Sequence, residues 1–167
     1  EMCIRDSNES GIAKAIKRLG DDEVKFNLAL SLHAATDEKR SEIMAINDTN
    51  NLIVLSDALK YFHEKTGTRI TFEYIIFRDF NDSTQDAWEL AEFSKNVPCK
   101  INIIEYNPID DGEFEQADSA KVDRFVKFLE SKNLIVNFRR SRGKDIDAAC
   151  GQLANKNEIG KDALKKS

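Results

Sequence analysis

The sequence predicts an α/β fold in which a parallel sheet is covered by helices. Two observations carry this. Four runs with strand character, residues 26–33, 69–77, 100–106 and 134–138, alternate with amphipathic helical runs. Such alternation requires right-handed crossovers, which lay the strands parallel and bring their C-terminal ends to one edge. Polar residues gather at that edge, where parallel α/β folds place their ligand sites.

Each element has its own signal. The opening stretch, Glu-Met-Cys-Ile-Arg-Asp-Ser, has no periodicity, and residues 1–9 are set apart from the rest of the chain. From Ser10-Gly11 onward Ile12, Ala15, Ile16 and Leu19 fall at helical spacing, with Gly20 placed to end the helix. Phe26 to His33 alternates strictly, Phe26, Leu28, Leu30 and Leu32 on one face and Asn27, Ala29, Ser31 and His33 on the other. This strand is expected to be the first of the sheet, with an open edge.

A polar connection leads to an amphipathic helix marked by Leu52, Leu55, Leu59 and Phe62 and stopped by Gly67. Residues 69–77 form the second strand, with Glu73 between Phe72 and Tyr74, where a buried carboxylate needs a partner. Asp82-Ser83-Thr84-Gln85 supplies a capping pattern for a helix carrying Ala87, Trp88, Leu90 and Ala91, in which Trp88 reads as packing. A third strand, Lys100 to Tyr106, runs into the turn-rich Asn107-Pro108-Ile109-Asp110-Asp111-Gly112. Val122, Phe125, Val126 and Leu129 mark the last helix, and Leu134 to Phe138 the fourth strand, which delivers the chain to Arg139.

At 167 residues, 41% hydrophobic and 33% charged, the chain suits one domain, assigned to residues 10–155 with a polar, Lys-rich tail at 156–167. A net charge of -5 argues against a uniformly basic nucleic-acid binder, so RNA contact falls to local cations, Arg139, Arg140 and Arg142. No membrane span, signal segment or obligate protein partner is inferred, and the expected setting is cytoplasmic. Cysteines at 3, 99 and 150 match neither a disulfide framework nor a metal-ligand spacing.

Chemistry concentrates in Arg142-Gly143-Lys144-Asp145-Ile146-Asp147-Ala148-Ala149-Cys150-Gly151-Gln152-Leu153. Arg139, Arg140, Arg142 and Lys144 favour a thiolate at Cys150, while Asp145 and Asp147 oppose it. Gly151 leaves room beside the sulfur. On local chemistry, a reactive loop and a buried structural thiol stand level.

This stretch closely resembles the C-terminal signature of the radical S-adenosylmethionine (SAM) rRNA adenine C2 methyltransferases, and the likeness runs from about Ser10 to about Asn155. The resemblance implies a C-terminal portion of a partial (β/α) radical SAM barrel. It implies that Cys150 carries the transferred methyl as S-methylcysteine, and that Ser31, Leu32, His33 and Asn107 contact SAM. Where the family has a further SAM-contacting serine ahead of the first helix, this chain has Asn8. The family's cofactors are SAM and a [4Fe-4S] cluster bound by Cys-x3-Cys-x2-Cys, a spacing that does not occur here. Its substrate is an adenine in 23S rRNA and, in some members, tRNA. The chain is accordingly expected to be a fragment inactive alone, without the cluster ligands, the second catalytic cysteine or the general-base glutamate.

Two other readings compete. A metabolic α/β-barrel enzyme would use His33 and Glu73 as acid and base, although glycine-rich phosphate loops are absent. A non-catalytic RNA-binding module would rest on Arg139, Arg140 and Arg142 and bind in a salt-sensitive way without SAM.

Overall fold

The computed structural model describes residues 2–4, 12–43, 51–108 and 114–140. In chain order these form β1 (Met2–Ile4), α1 (Ile12–Asp21), β2 (Leu28–Ser31), α2 (Asp37–Ile43), α3 (Leu52–Thr66), β3 (Ile70–Ile76), α4 (Thr84–Ser94), β4 (Cys99–Glu105), α5 (Ser119–Ser131) and β5 (Ile135–Arg140). The strands pair parallel throughout and lie side by side in the order β1-β2-β3-β4-β5.

Alternation within each strand decides what the two faces meet. Leu28 and Leu30 of β2, Phe72 and Tyr74 of β3 and Ile101 and Ile103 of β4 pack in one core with Ile16 of α1, Leu55, Leu59 and Phe62 of α3, Leu90 of α4 and Phe125 and Leu129 of α5. The helices therefore cover one face. The intervening residues, Ala29, Ser31, Thr71, Glu73, Lys100 and Asn102, point to the other. Near the strands' C-terminal ends that second face carries a smaller cluster of Ile75, Phe77 and Tyr106, packed against Phe80, Ile104 and Phe114.

The helix ends follow local chemistry. Asn51 caps α3 by accepting from the Val54 amide at 3.0 Å, and Gly67 closes it in the left-handed region at φ 66°. Ser83 and Asp86 complete a reciprocal capping box on α4.

Five expectations need correction. Gly20 does not end α1 but lies within it, because a Cβ there would stand 3.3 Å from both the Phe62 Cα and the Tyr61 ring of α3. Its missing side chain permits a close helix crossing. The polar connection after β2 contains α2, whose sequence shows little amphipathic pattern. It is held instead by Lys39 on Asp86 at 2.5 Å, by Asp37 accepting from the Leu52 amide at 2.8 Å, and by fully buried Arg40.

The strand from Phe26 is shorter than its pattern and is not at the edge. β2 begins at Leu28, and Met2–Ile4 pairs with Leu28–Leu30 through backbone bonds that need no periodicity. Arg139 and Arg140 belong to β5 rather than following it. Trp88, finally, is 47% exposed beside Ile53 and Phe93 on the outer surface of α3 and α4, not packed inside.

Candidate functional site

The edge formed by the C-terminal ends of β2, β3 and β4 holds Ser31, Leu32, His33 and Asn107. Ser31 is the last residue of β2, half-buried, and Leu32 and His33 are buried just beyond it. Asn107 follows β4 by two residues, half-buried and engaged in a contact of its own. Ser31 and Asn107 thus flank the end of β3 from either side. Cys150 and Arg142 lie outside the described residues.

His33 is built into this edge unusually. Its backbone is left-handed, φ 58°, a conformation that histidine tolerates better than bulky or branched residues. In a continuing parallel ladder the Ile75 amide would reach the Leu32 carbonyl, since the Leu32 amide already donates to the Glu73 carbonyl at 2.8 Å. Instead Arg40 Nε donates to the Leu32 carbonyl at 3.3 Å, and the Ile75 amide donates to His33 Nδ1 at 3.0 Å. An Nδ1 that accepts carries no proton, so the neutral ring holds its proton on Nε2.

Burial, reinforced by the Arg40 charge, lowers the His33 pKa from 6.5 to about 3. Between those values the unfolded chain binds a proton here that the folded chain does not. Stability from this group is therefore complete above pH 6.5 and falls with acidification toward about 3, by about 1.4 kcal/mol per pH unit. Urea denaturation across that range checks it. His33→Gln is expected to flatten the slope, and an unchanged slope would show that His33 is not its source.

The loop after β3 is fastened around this histidine. Asn81, fully buried, donates from Nδ2 to the His33 carbonyl at 2.8 Å and the Ile75 carbonyl at 2.9 Å, and accepts from the Phe77 amide at 2.7 Å. The Tyr74 hydroxyl donates to the Asn81 carbonyl at 2.7 Å, and burial pushes that phenol well above its ordinary pKa. Lys39 holds the Phe80 carbonyl at 2.8 Å, and Lys121 reaches Asp79 at 3.1 Å and Asp82 at 3.6 Å. Sequence reasoning read Asp82 to Gln85 only as a helix start, and Asn81 as nothing at all. The available signal was an asparagine in the short turn between an aromatic-rich strand and the capping pattern of the next helix.

A second feature missed from sequence is a row across the sheet face opposite the helices. Register aligns Ser31 with Glu73, Glu73 with Asn102 and Asn102 with Asn137, so one residue from each of four strands forms a polar line. Asn137 donates to Asn102 at 3.4 Å, and Glu73 has a partner of its own. Single strands do not reveal such a row, because it depends on register.

Arg139 and Arg140 diverge. Arg139 aligns with Ile104 and Arg140 with Glu105, on opposite faces, and exposed Arg140 stands 3.9 Å from half-buried Glu105. Among the described residues, no group of three or more His, Cys, Asp or Glu could hold a metal ion, and no helix is long and apolar enough to cross a membrane.

No protein-family model matches the chain. It is 61% identical over 147 residues to a probable dual-specificity RNA methyltransferase RlmN of Cytophaga hutchinsonii, covering 88% of this chain and 40% of that protein. The corresponding protein of Nautilia profundicola is 39% identical over 152 residues, covering 91% of this chain and 43% of its own length. The chain thus spans about two fifths of these relatives' length. A radical SAM methyltransferase from Sphaerobacter thermophilus superposes with a TM-score of 0.77 at 36% identity, over 86% of this chain and 42% of that one. A domain of a pyruvate-formate lyase-activating enzyme from Bacteroides vulgatus shares the fold at a TM-score of 0.59 and 10% identity, over 83% of this chain and 98% of that one. At 61% identity over 147 residues, the chain belongs over that stretch to the RlmN family of radical SAM RNA methyltransferases.

Proposed function

We propose that this chain forms a SAM-facing part of an RNA methyltransferase that places a methyl group on C2 of an adenine, in 23S rRNA and in tRNA, with Cys150 as the group's carrier. The observation that carries the reading is the 61% identity to a relative named as a dual-specificity RNA methyltransferase. The edge chemistry suits it. When bound, SAM supplies a methyl group on a positively charged sulfur. His33, held neutral, does not repel that charge and offers Nε2–H as a donor, while Ser31 and Asn107 offer further polar groups on either side of β3.

Cys150 would attack as a thiolate, favoured by Arg139, Arg140, Arg142 and Lys144 in the sequence before it. The sulfur displaces the methyl's former carrier and becomes a thioether. The substrate adenine has to leave its stack for its C2 to reach the methyl carrier.

The family also implies an iron-sulfur cluster, which these residues do not fit. Cys3, Cys99 and Cys150 lack the ligand spacing, and Cys99 donates to the Ser94 carbonyl at 3.5 Å at the start of β4, away from the ligand edge. Burial pushes its thiol up, opposite to what a thiolate ligand requires.

Peptide mass spectrometry of protein isolated from the cells that make it tests the reading. The segment containing Cys150 should carry one added methyl, traceable to labelled methionine. An unmodified thiol under conditions where adenine C2 is being methylated would refute the carrier role.

A further inference from the structure

We propose that Asn81 is a positioning residue for SAM: its carboxamide locks the His33 main chain against the end of β3 and thereby fixes the imidazole as an Nε2–H donor at the ligand edge. The inference rests on the reading that His33 contacts SAM, and on three residues that close a triangle. His33 gives its ring nitrogen to the Ile75 amide at 3.0 Å and its carbonyl to Asn81 at 2.8 Å. Ile75 gives its own carbonyl to Asn81 at 2.9 Å. Asn81 binds both residues with one NH2 group and holds the Phe77 amide with its oxygen.

Only a carboxamide does all of this. Both of its N–H bonds and its acceptor oxygen are used, and they point in the directions that two carbonyls and one amide require. Aspartate has the same shape but would set a carboxylate oxygen against two carbonyl oxygens. Alanine would leave two buried carbonyls and one buried amide without their partner.

The lock has something to hold. A non-glycine residue at φ 58° persists only where its surroundings over-determine it. If the His33 carbonyl were released, the backbone could return to an ordinary conformation. The ring would then leave the Ile75 amide, and its proton could exchange between the two nitrogens. Asn81 itself cannot follow, because the Tyr74 hydroxyl holds its carbonyl and Lys39 holds the Phe80 carbonyl next to it. Thus a residue that need not touch the cofactor would determine how the one that touches it is presented.

A double-mutant cycle separates this from a purely structural role. SAM affinity is measured by calorimetry on full-length protein from cells for the wild type, Asn81→Ala, His33→Ala and the double variant. Each single change should weaken SAM binding tenfold or more, and the double variant should be no weaker than His33→Ala. Fully additive losses would overturn the proposal. Should Asn81→Ala not fold, Asn81→Asp takes its place.

A second measurement does not involve SAM. Nitrogen-15 spectra of the imidazole in this chain should show one tautomer, with Nδ1 unprotonated, in the wild type and an averaged signal in the Asn81 variant. An unchanged tautomer in a folded variant would overturn the lock. A wild type that shows the single tautomer but binds no SAM would instead strike at the SAM reading and leave the lock standing.

Discussion

Cells whose sole copy of the gene carries Cys150→Ala are expected to lose methylation at adenine C2 completely, while the protein itself accumulates nearly as before. The change removes one sulfur between Ala149 and Gly151, so the stability loss should stay within the ordinary range for a point substitution, about 0.5 to 3 kcal/mol. Catalysis has no such margin. Alanine offers no nucleophile, and a serine in its place offers one that is almost wholly protonated at neutral pH, so Cys150→Ser should be equally inactive. Nucleoside mass spectrometry of rRNA and tRNA reads the outcome. Normal levels of the modified adenine in the Ala variant would return Cys150 to a structural thiol.

Phe72→Ala should have the largest effect on folding. Its ring is fully buried on β3, with Leu30 of β2 and Ile101 of β4 as its register partners and Phe93 of α4 at 5.5 Å. Such a truncation leaves a cavity that neighbouring strands cannot close, costing about 3 to 5 kcal/mol. Domains of this kind have about 5 to 15 kcal/mol in total, so much of the margin would go. The urea midpoint should fall at an unchanged slope. A loss below about 1 kcal/mol would mean that the site collapses or that Phe72 is not central.

How much could be read from the letters varied with the physics involved. β3 and β4 were legible to within about one residue at each end, and α3, α4 and α5 as elements, because each depends on its own periodicity or cap. α2 was not, since a charged heptad held by Lys39, Asp37 and buried Arg40 acquires its reason to be helical only from the turn after β2 and from α3 and α4. Gly20 was read as a stop because its close neighbour, Phe62, is far along the chain.

The candidate site divides the same way. Ser31, His33 and Asn107 could be placed at one edge from strand ends alone. The neutral tautomer of His33, the clasp of Asn81 and the row from Ser31 to Asn137 all arise from register or from turns, which periodicity does not encode. Arg139 and Arg140, adjacent in sequence, are sent to opposite faces by their strand, which adjacency alone does not show.

The sheet's ordering also bears on how the protein comes into being. Strands that stand beside one another in the order of synthesis let each newly made strand and helix settle onto the unit before it, without waiting for a distant partner. The separation between paired strands is one crossover at every step, so loop closure is met in similar instalments rather than once at the end. Growth of this kind resembles the lengthening of a repeat array, in which each unit is stabilised chiefly by its neighbours. β5, the last strand among the described residues, has mostly exposed side chains and is the natural place for unravelling to begin. Hydrogen exchange should therefore run as a gradient, fastest in β5 and slowest in β3.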